Sequence, residues 1–183
     1  MAATTGQLGF VTPTQGTLSG TWGDTVNNGI TEYTNIAIAG TLTLTNDGAV
    51  SLANTTGSSG ATNITSSLTG AGTVTAQFAI VQVTGTLTGT KTITGPSYSK
   101  TYLVDNTTAT YAVLFQRASQ SSPVSIAAGE KALVYYNGTD YVKVASSVIA
   151  ASSLSGVVAP ANGGTGVANN AASTITVSGN YAT

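Results

Sequence analysis

From Thr41 to Val144 one pattern recurs: apolar side chains alternate with threonine and other small polar residues in short runs, and glycine, asparagine or proline ends each run. A period of two puts successive side chains on opposite faces of a strand, so each run has one face to bury and one to leave in water. The runs fall at 41–45, 49–52, 74–83, 85–94, 98–104, 110–115, 124–126, 131–136 and 141–144. Short strands at such close spacing predict an all-β fold, with a β-sandwich-like domain over 73–146. The clearest unit is 133–144, where Asn137-Gly138 stands between two alternating runs and supplies the positive φ angles of a tight hairpin. Asn46-Asp47-Gly48 gives the same reading to 41–52, a second hairpin. Residues 53–72 hold only Ile64 and Leu68 as large apolar side chains, too few for a core of their own. They read as a loop, or as strands that neighbours complete.

Before the alternation begins, Trp22, Val26, Ile30, Tyr33 and Ala37 recur at helical spacing and predict one short helix with these residues on one face. Thr21 and Asp24 stand where a capping box would open it, and Gly40 where it would stop. Gly23 and Gly29 each cost ~1 kcal/mol relative to alanine, so the helix needs something to pack on. Residues 7–19, which include Pro13, read as an extended arm. The expected organisation is therefore an amino-terminal arm and helix (1–40), a Thr/Gly-rich β region (41–72), the sandwich (73–146), a small-residue connector (147–160) and a closing segment (161–183). Strand alternation resumes in that last segment at 173–177. The sequence stops just after a Gly179-Asn180 turn signal, as a longer chain cut short would.

Composition narrows the function. Only 6% of residues are charged, with 5 Lys+Arg against 6 Asp+Glu, while 34 threonines, 22 glycines and 19 serines supply the polarity. No basic surface exists to release counterions from nucleic acid, so no nucleic-acid partner is expected. With no histidine and no cysteine, the usual zinc ligands, Ser-His and Cys-His nucleophile pairs, iron–sulfur clusters and disulfides are all missing. No cofactor, no metal and no enzymatic activity are expected. No stretch approaches the ~20 apolar residues of a membrane helix, and residues 1–10 lack the basic flank and apolar run of a signal peptide. A soluble chain with no membrane insertion follows. Threonine-rich edge strands with almost no lysine to guard them would aggregate if left open, which favours an oligomer that covers them.

Candidate site residues are few. Trp22, with Val26, Ile30 and Tyr33 on the same predicted face, either anchors an attachment or subunit interface or packs on its own fold. The six carboxylates, Asp24, Glu32, Asp47, Asp105, Glu130 and Asp140, are numerous enough for a glycosidase pair. Asp47, Asp105 and Asp140 nevertheless sit in turn sequences where a short acceptor side chain caps the backbone. Asn46-Asp47-Gly48 lacks the spaced ligands and closing glutamate of a calcium loop. Tyr98, Tyr102, Tyr111, Tyr135, Tyr136 and Tyr141 would form a sugar-stacking surface if exposed together, but half-buried strand tyrosines are the commoner arrangement. Asn54, Asn63, Asn106 and Asn137 head Asn-x-Thr triplets, a number that this threonine content produces by chance. Gly163-Gly164-Thr165-Gly166 lacks the lysine of a phosphate loop and reads as a joint.

Three stretches, in this order, resemble pieces of bacteriophage tail fibre and tail-appendage proteins. Thr21-Trp22-Gly23-Asp24-Thr25-Val26-Asn27 is similar to a Trp-Gly-Asp/Glu-x-x-Asn element near the start of such fibres. Residues 102–108 and 126–140, with Gly129-Glu130 before Leu133-Val134-Tyr135 and then Asn137-Gly138-Thr139, are similar to a β-rich module of the same proteins. Residues 160–180 resemble the beginning of a repetitive fibre shaft. The resemblance implies the amino-terminal, virion-attachment portion of a tail fibre: an intertwined homotrimer located in the virion tail. Its arm would fasten to a tail hub, adaptor or nozzle protein, and a further carboxyl-terminal part would meet a host surface receptor. A capsid decoration protein and a fragment of a cellular surface adhesin share the same compositional bias and are the alternatives.

Overall fold

The computed structural model describes residues 3–4, 10–16, 18–54 and 64–148. All lie in one unit, Met1–Val148. The expected connector, apart from Ser147 and Val148, the shaft beginning, the 173–177 strand and Asn63 lie outside the described residues. The fold is mixed, with one helical stretch and two large β-sheets.

The arm holds two short antiparallel strands, β1 (Ala3–Thr4) and β2 (Val11–Thr12). Val11 is buried, and Phe10 packs against the main core. The helix runs as α1 (Trp22–Val26), a π-helical turn (Asn27–Thr31) and α2 (Glu32–Ala39). Its buried side is Thr25, Gly29, Tyr33 and Ile36; of the predicted Trp22, Val26, Ile30, Tyr33 and Ala37, Tyr33 is buried, Val26, Ile30 and Ala37 are half-buried and Trp22 is exposed. A π-helical turn interrupts the stretch, yet the buried positions still recur four, four and three residues apart, offset so that small Thr25 and Gly29 lie buried where Val26 and Ile30 are half-buried. Thr21 does hold the N-cap position, but its side chain makes no capping bond. Asp24 is a residue too short for the reach-back that a glutamate gives in a capping box. Instead the Thr25 hydroxyl donates to the Thr21 carbonyl at 2.9 Å. Gly40 ends the helix as predicted, in extended backbone, and a Cβ there would stand 2.7 Å from the Ile36 backbone.

Eleven strands follow: β3 (Thr41–Thr45), β4 (Val50–Ala53), β5 (Ser67–Thr69), β6 (Gly72–Thr75), β7 (Ile80–Thr84), β8 (Lys91–Gly95), β9 (Thr101–Asn106), β10 (Val113–Arg117), β11 (Val124–Ile126), β12 (Lys131–Tyr136) and β13 (Tyr141–Ser146). One sheet has the order β13-β12-β9-β7-β3-β5, the other β11-β10-β8-β4-β6. From β3 to β10 the chain changes sheet at every step. Each strand then lies parallel to its neighbours: β3 to β5 and β7, β7 to β9, β4 to β6 and β8, and β8 to β10. Within the two large sheets the last strands turn back antiparallel, β11 on β10, β12 on β9 and β13 on β12.

The expected hairpin over 41–52 is therefore corrected: β3 and β4 belong to different sheets. Asn46 (φ 61°) and Gly48 (φ 104°) do turn the chain, but Asp47 is held by the loop after β7, and the chain crosses between sheets instead of doubling back. The hairpin over 133–144 is present as β12–β13, closed by residues 137–140 between the paired Tyr136 and Tyr141. Its loop is longer than the two residues expected, and within it only Gly138 has a positive φ, 101°. The Asn137 side chain accepts from the backbone N–H of Thr139 and Asp140, both at 2.9 Å, and makes up the turn. In the stretch 53–72, β5 is a strand completed by β3, and Gly72 opens β6, which β4 completes.

The alternation delivers one cluster of buried side chains from both sheets. Leu42, Leu44, Val81, Val83, Tyr102, Val104 and Val134 enter it from the first sheet, and Val50, Leu52, Ile93, Val113, Phe115 and Ile126 from the second. Tyr33 and Ile36 carry the helix onto this core. Asn106 locks the far end of β9: its amide donates to the carbonyls of Tyr111, Ile126 and Ala127, and its oxygen accepts from Thr108. With Asn106 fully buried, that Asn-x-Thr triplet offers no glycan acceptor.

Candidate functional site

The predicted interface residues separate. Trp22, at the first turn of α1, is 61% exposed and stays off the core, whereas Tyr33 is buried within it. Val26 and Ile30 are half-buried, and Ile38 at the far end of α2 is exposed. The structure thus divides the predicted face: Trp22 points outward, and Tyr33 packs inward and holds the helix to the core.

Trp22 forms one wall of an open cleft of about 480 Å³, with Pro13–Gly16, Leu18 and Ser19 of the arm as the other walls. Gly16 (φ 80°) and Gly20 (φ 84°) bend the arm around it. The Thr21 N–H donates to the Leu18 carbonyl at 3.1 Å, tying the arm to the first turn of the helix. Asp24 and Glu32, the acidic groups of the two α segments, are exposed, and the five basic residues all lie in the β region. The exposed helix surface therefore carries Trp22 and Ile38 among small polar residues and is mildly acidic.

The other carboxylates serve the fold. Asp47 accepts from the Thr88 N–H at 2.9 Å, from the Thr88 hydroxyl and from the Gly89 N–H, bonds that hold its pKa below the ordinary value. Asp105 pairs with Lys131 and Asp140 with Arg117, each at 2.9 Å. Burial would raise the Glu130 pKa, but Lys143, Ser146 and the Ala127 N–H all donate to it and hold it low instead. Among the described residues no three acidic side chains gather as a metal site.

The tyrosines do not form one exposed surface. Tyr102 and Tyr141 are buried against Phe115, with ring centroids 5.3 and 4.8 Å from it. Tyr136 leans on Tyr141 at 5.6 Å, while Tyr135 faces out from the opposite side of β12. Lys100 sits over the Tyr102 ring at 4.8 Å and donates to the Gln77 carbonyl at 2.7 Å. Sequence reasoning passed over a further buried group, Lys91, whose ammonium donates only to backbone carbonyls among its described contacts. Its sequence signal is its place in the inward phase of β8, two residues before buried Ile93.

Comparison with known protein families, with curated proteins and with solved structures found no match to this chain. Among the described residues no helix is long and apolar enough to cross a membrane.

Proposed function

We propose that this chain is a structural component of a phage virion, the attachment portion of a tail fibre. Its sheets assemble with two sister chains, and its arm and helix fasten to a hub, adaptor or nozzle protein of the tail. The observation that carries the reading is Trp22. It is the only tryptophan in the chain, it heads the Trp-Gly-Asp element that resembles fibre starts, and it stands exposed beside a cleft made by the arm. Large aromatic side chains are the commonest anchors of protein interfaces, and an isolated exposed one has its best use in a partner's pocket. The mechanism is mechanical: Tyr33 and Ile36 bind the helix to the β core, so load taken at Trp22 passes into the sheets. Parallel strands paired on both sides then spread that load over many backbone hydrogen bonds. The finer architecture that goes with this reading is a sandwich continuing into a fibrous shaft.

Light scattering of the full chain, beside a version lacking residues 1–40, tests the assembly. A mass of three chains that survives the deletion supports trimerisation through the β regions, with the arm free to dock. A monomer in both overturns the fibre reading and leaves a module that assembles only on a host surface such as a capsid face.

A further inference from the structure

Lys91 opens β8 with its side chain turned inward, and it is fully buried. Its Nζ donates to the carbonyls of Asn46 at 2.9 Å, Gly48 at 3.2 Å and Gly70 at 3.2 Å. An ammonium has three N–H donors and no acceptor, so three oxygens satisfy it one to one. Those oxygens come from two turns, between β3 and β4 and between β5 and β6. No ion pair among the described residues includes Lys91. Asp47, on the first of these turns, sends its carboxylate to Thr88 and Gly89, which ties the loop between β7 and β8 to the same corner. The three crossings from the first sheet to the second, β3–β4, β5–β6 and β7–β8, thus meet at one corner, the first two on the Lys91 nitrogen and the third through Asp47.

The turns cannot easily reshape around a loss. Gly48 (φ 104°) and Gly70 (φ 88°) hold left-handed backbone, and a Cβ on Gly48 would stand 2.8 Å from the Ala71 nitrogen. The carbonyls are aimed inward by the turns and by parallel pairing of β4 with both β6 and β8. Converging carbonyl dipoles that replace a hydration shell are how proteins hold compact monovalent cations. We propose that this corner is a monovalent-cation site whose resident cation is the protein's own Lys91 ammonium, and that emptying it creates a site for ammonium or potassium from solution. The inference is independent of the virion reading.

Thermal unfolding of the full chain carrying Lys91→Ala tests it, in ammonium, potassium and N-methylglucamine chloride at equal ionic strength. In N-methylglucamine, too large for the corner, the Tm falls by about 5 °C or more. Ammonium and potassium raise it again, saturably with concentration, because they bind only the folded variant. The parent chain shows no preference among these salts. Lys91→Met, which fills the channel with an apolar chain, loses stability with no response to cation identity. An alanine variant with the same Tm in all three salts overturns the proposal. If that variant does not fold, exchange of the lysine ammonium protons with water decides in the parent chain. Slow exchange at Lys91 beside fast exchange at half-exposed Lys131 supports the cage, and equal rates overturn it.

Discussion

Lys100 donates to the Gln77 carbonyl above the Tyr102 ring, and burial with no carboxylate beside it pulls its pKa from 10.5 down to about 8. The unfolded chain therefore binds more protons than the folded one between those values, and stability rises with pH across that window. Tyr98 acts in the opposite sense: burial, partly offset by its bond to Asn54, pushes its phenol from 10.0 up to about 12. Above pH 10 the unfolded state loses its tyrosine protons first and stability falls; Tyr102 and Tyr141, also raised by burial, add to the fall. Urea midpoints are expected to climb from pH 8 to pH 10 and drop beyond it, and Lys100→Met is expected to flatten the climb. A midpoint that declines steadily from pH 8 would contradict both assignments. Only part of this chemistry is legible along the chain. Alternation marks Lys91 as inward because it shares a phase with Ile93, but its oxygen partners lie 21, 43 and 45 residues away. Nothing local announces them.

Elements were legible where their chemistry is local. β11 and β12 match the alternating runs end to end, and the β12–β13 hairpin was readable because its turn carries its own instructions in Asn137 and Gly138. The run at 41–52 has a turn signal of the same quality, yet period two identifies a strand without naming its neighbour. Helical spacing marks the helix and its inward Tyr33, but not that small Thr25 and Gly29, in place of the larger Val26 and Ile30, lie buried. Close approaches between elements were equally silent. Gly95 ends β8 beneath Tyr141, and a Cβ on it would stand 2.6 Å from the phenol oxygen and 2.8 Å from a ring carbon. Gly95→Ala must displace the Tyr141 ring, which disturbs its packing on Phe115 and its 2.8 Å bond to the Pro96 carbonyl. Overpacking of this kind costs about 1–3 kcal/mol. The expected result is a matching drop in unfolding free energy by urea titration, with near-ultraviolet circular dichroism reporting the displaced ring. Gly89→Ala, where a Cβ meets nothing within 4 Å, is the control.

At the scale of the whole molecule, composition and alternation gave two β-rich portions meeting near residue 72, while the strand order weaves those portions together. β3 lies between β5 and β7, and β4 between β6 and β8. β3 and β4, the first two strands of the β region, are thus interior to the two sheets, and their inward residues Leu42, Leu44, Val50 and Leu52 belong to the common core. A fragment of residues 73–148 keeps all of β7 to β13 but bares the inner edges of β7 and β8. It also loses those four side chains together with Tyr33 and Ile36 from the helix. Removing a large buried aliphatic side chain costs several kcal/mol even singly, and the net stability of a domain is only ~5–15 kcal/mol. The fragment is therefore expected to show no cooperative thermal transition and to bind a hydrophobic dye, whereas residues 1–148 unfold in one step. A sharp, dye-free transition for 73–148 would mean that β3 and β4 are additions to a self-sufficient sandwich. The same interleaving predicts its kinetic counterpart: parallel pairs across long sequence separations form late, after loop closure has been met without compensating contacts. Refolding of 1–148 should then be slow, on the order of milliseconds to seconds, with the β12–β13 hairpin protected from hydrogen exchange before β3 and β4.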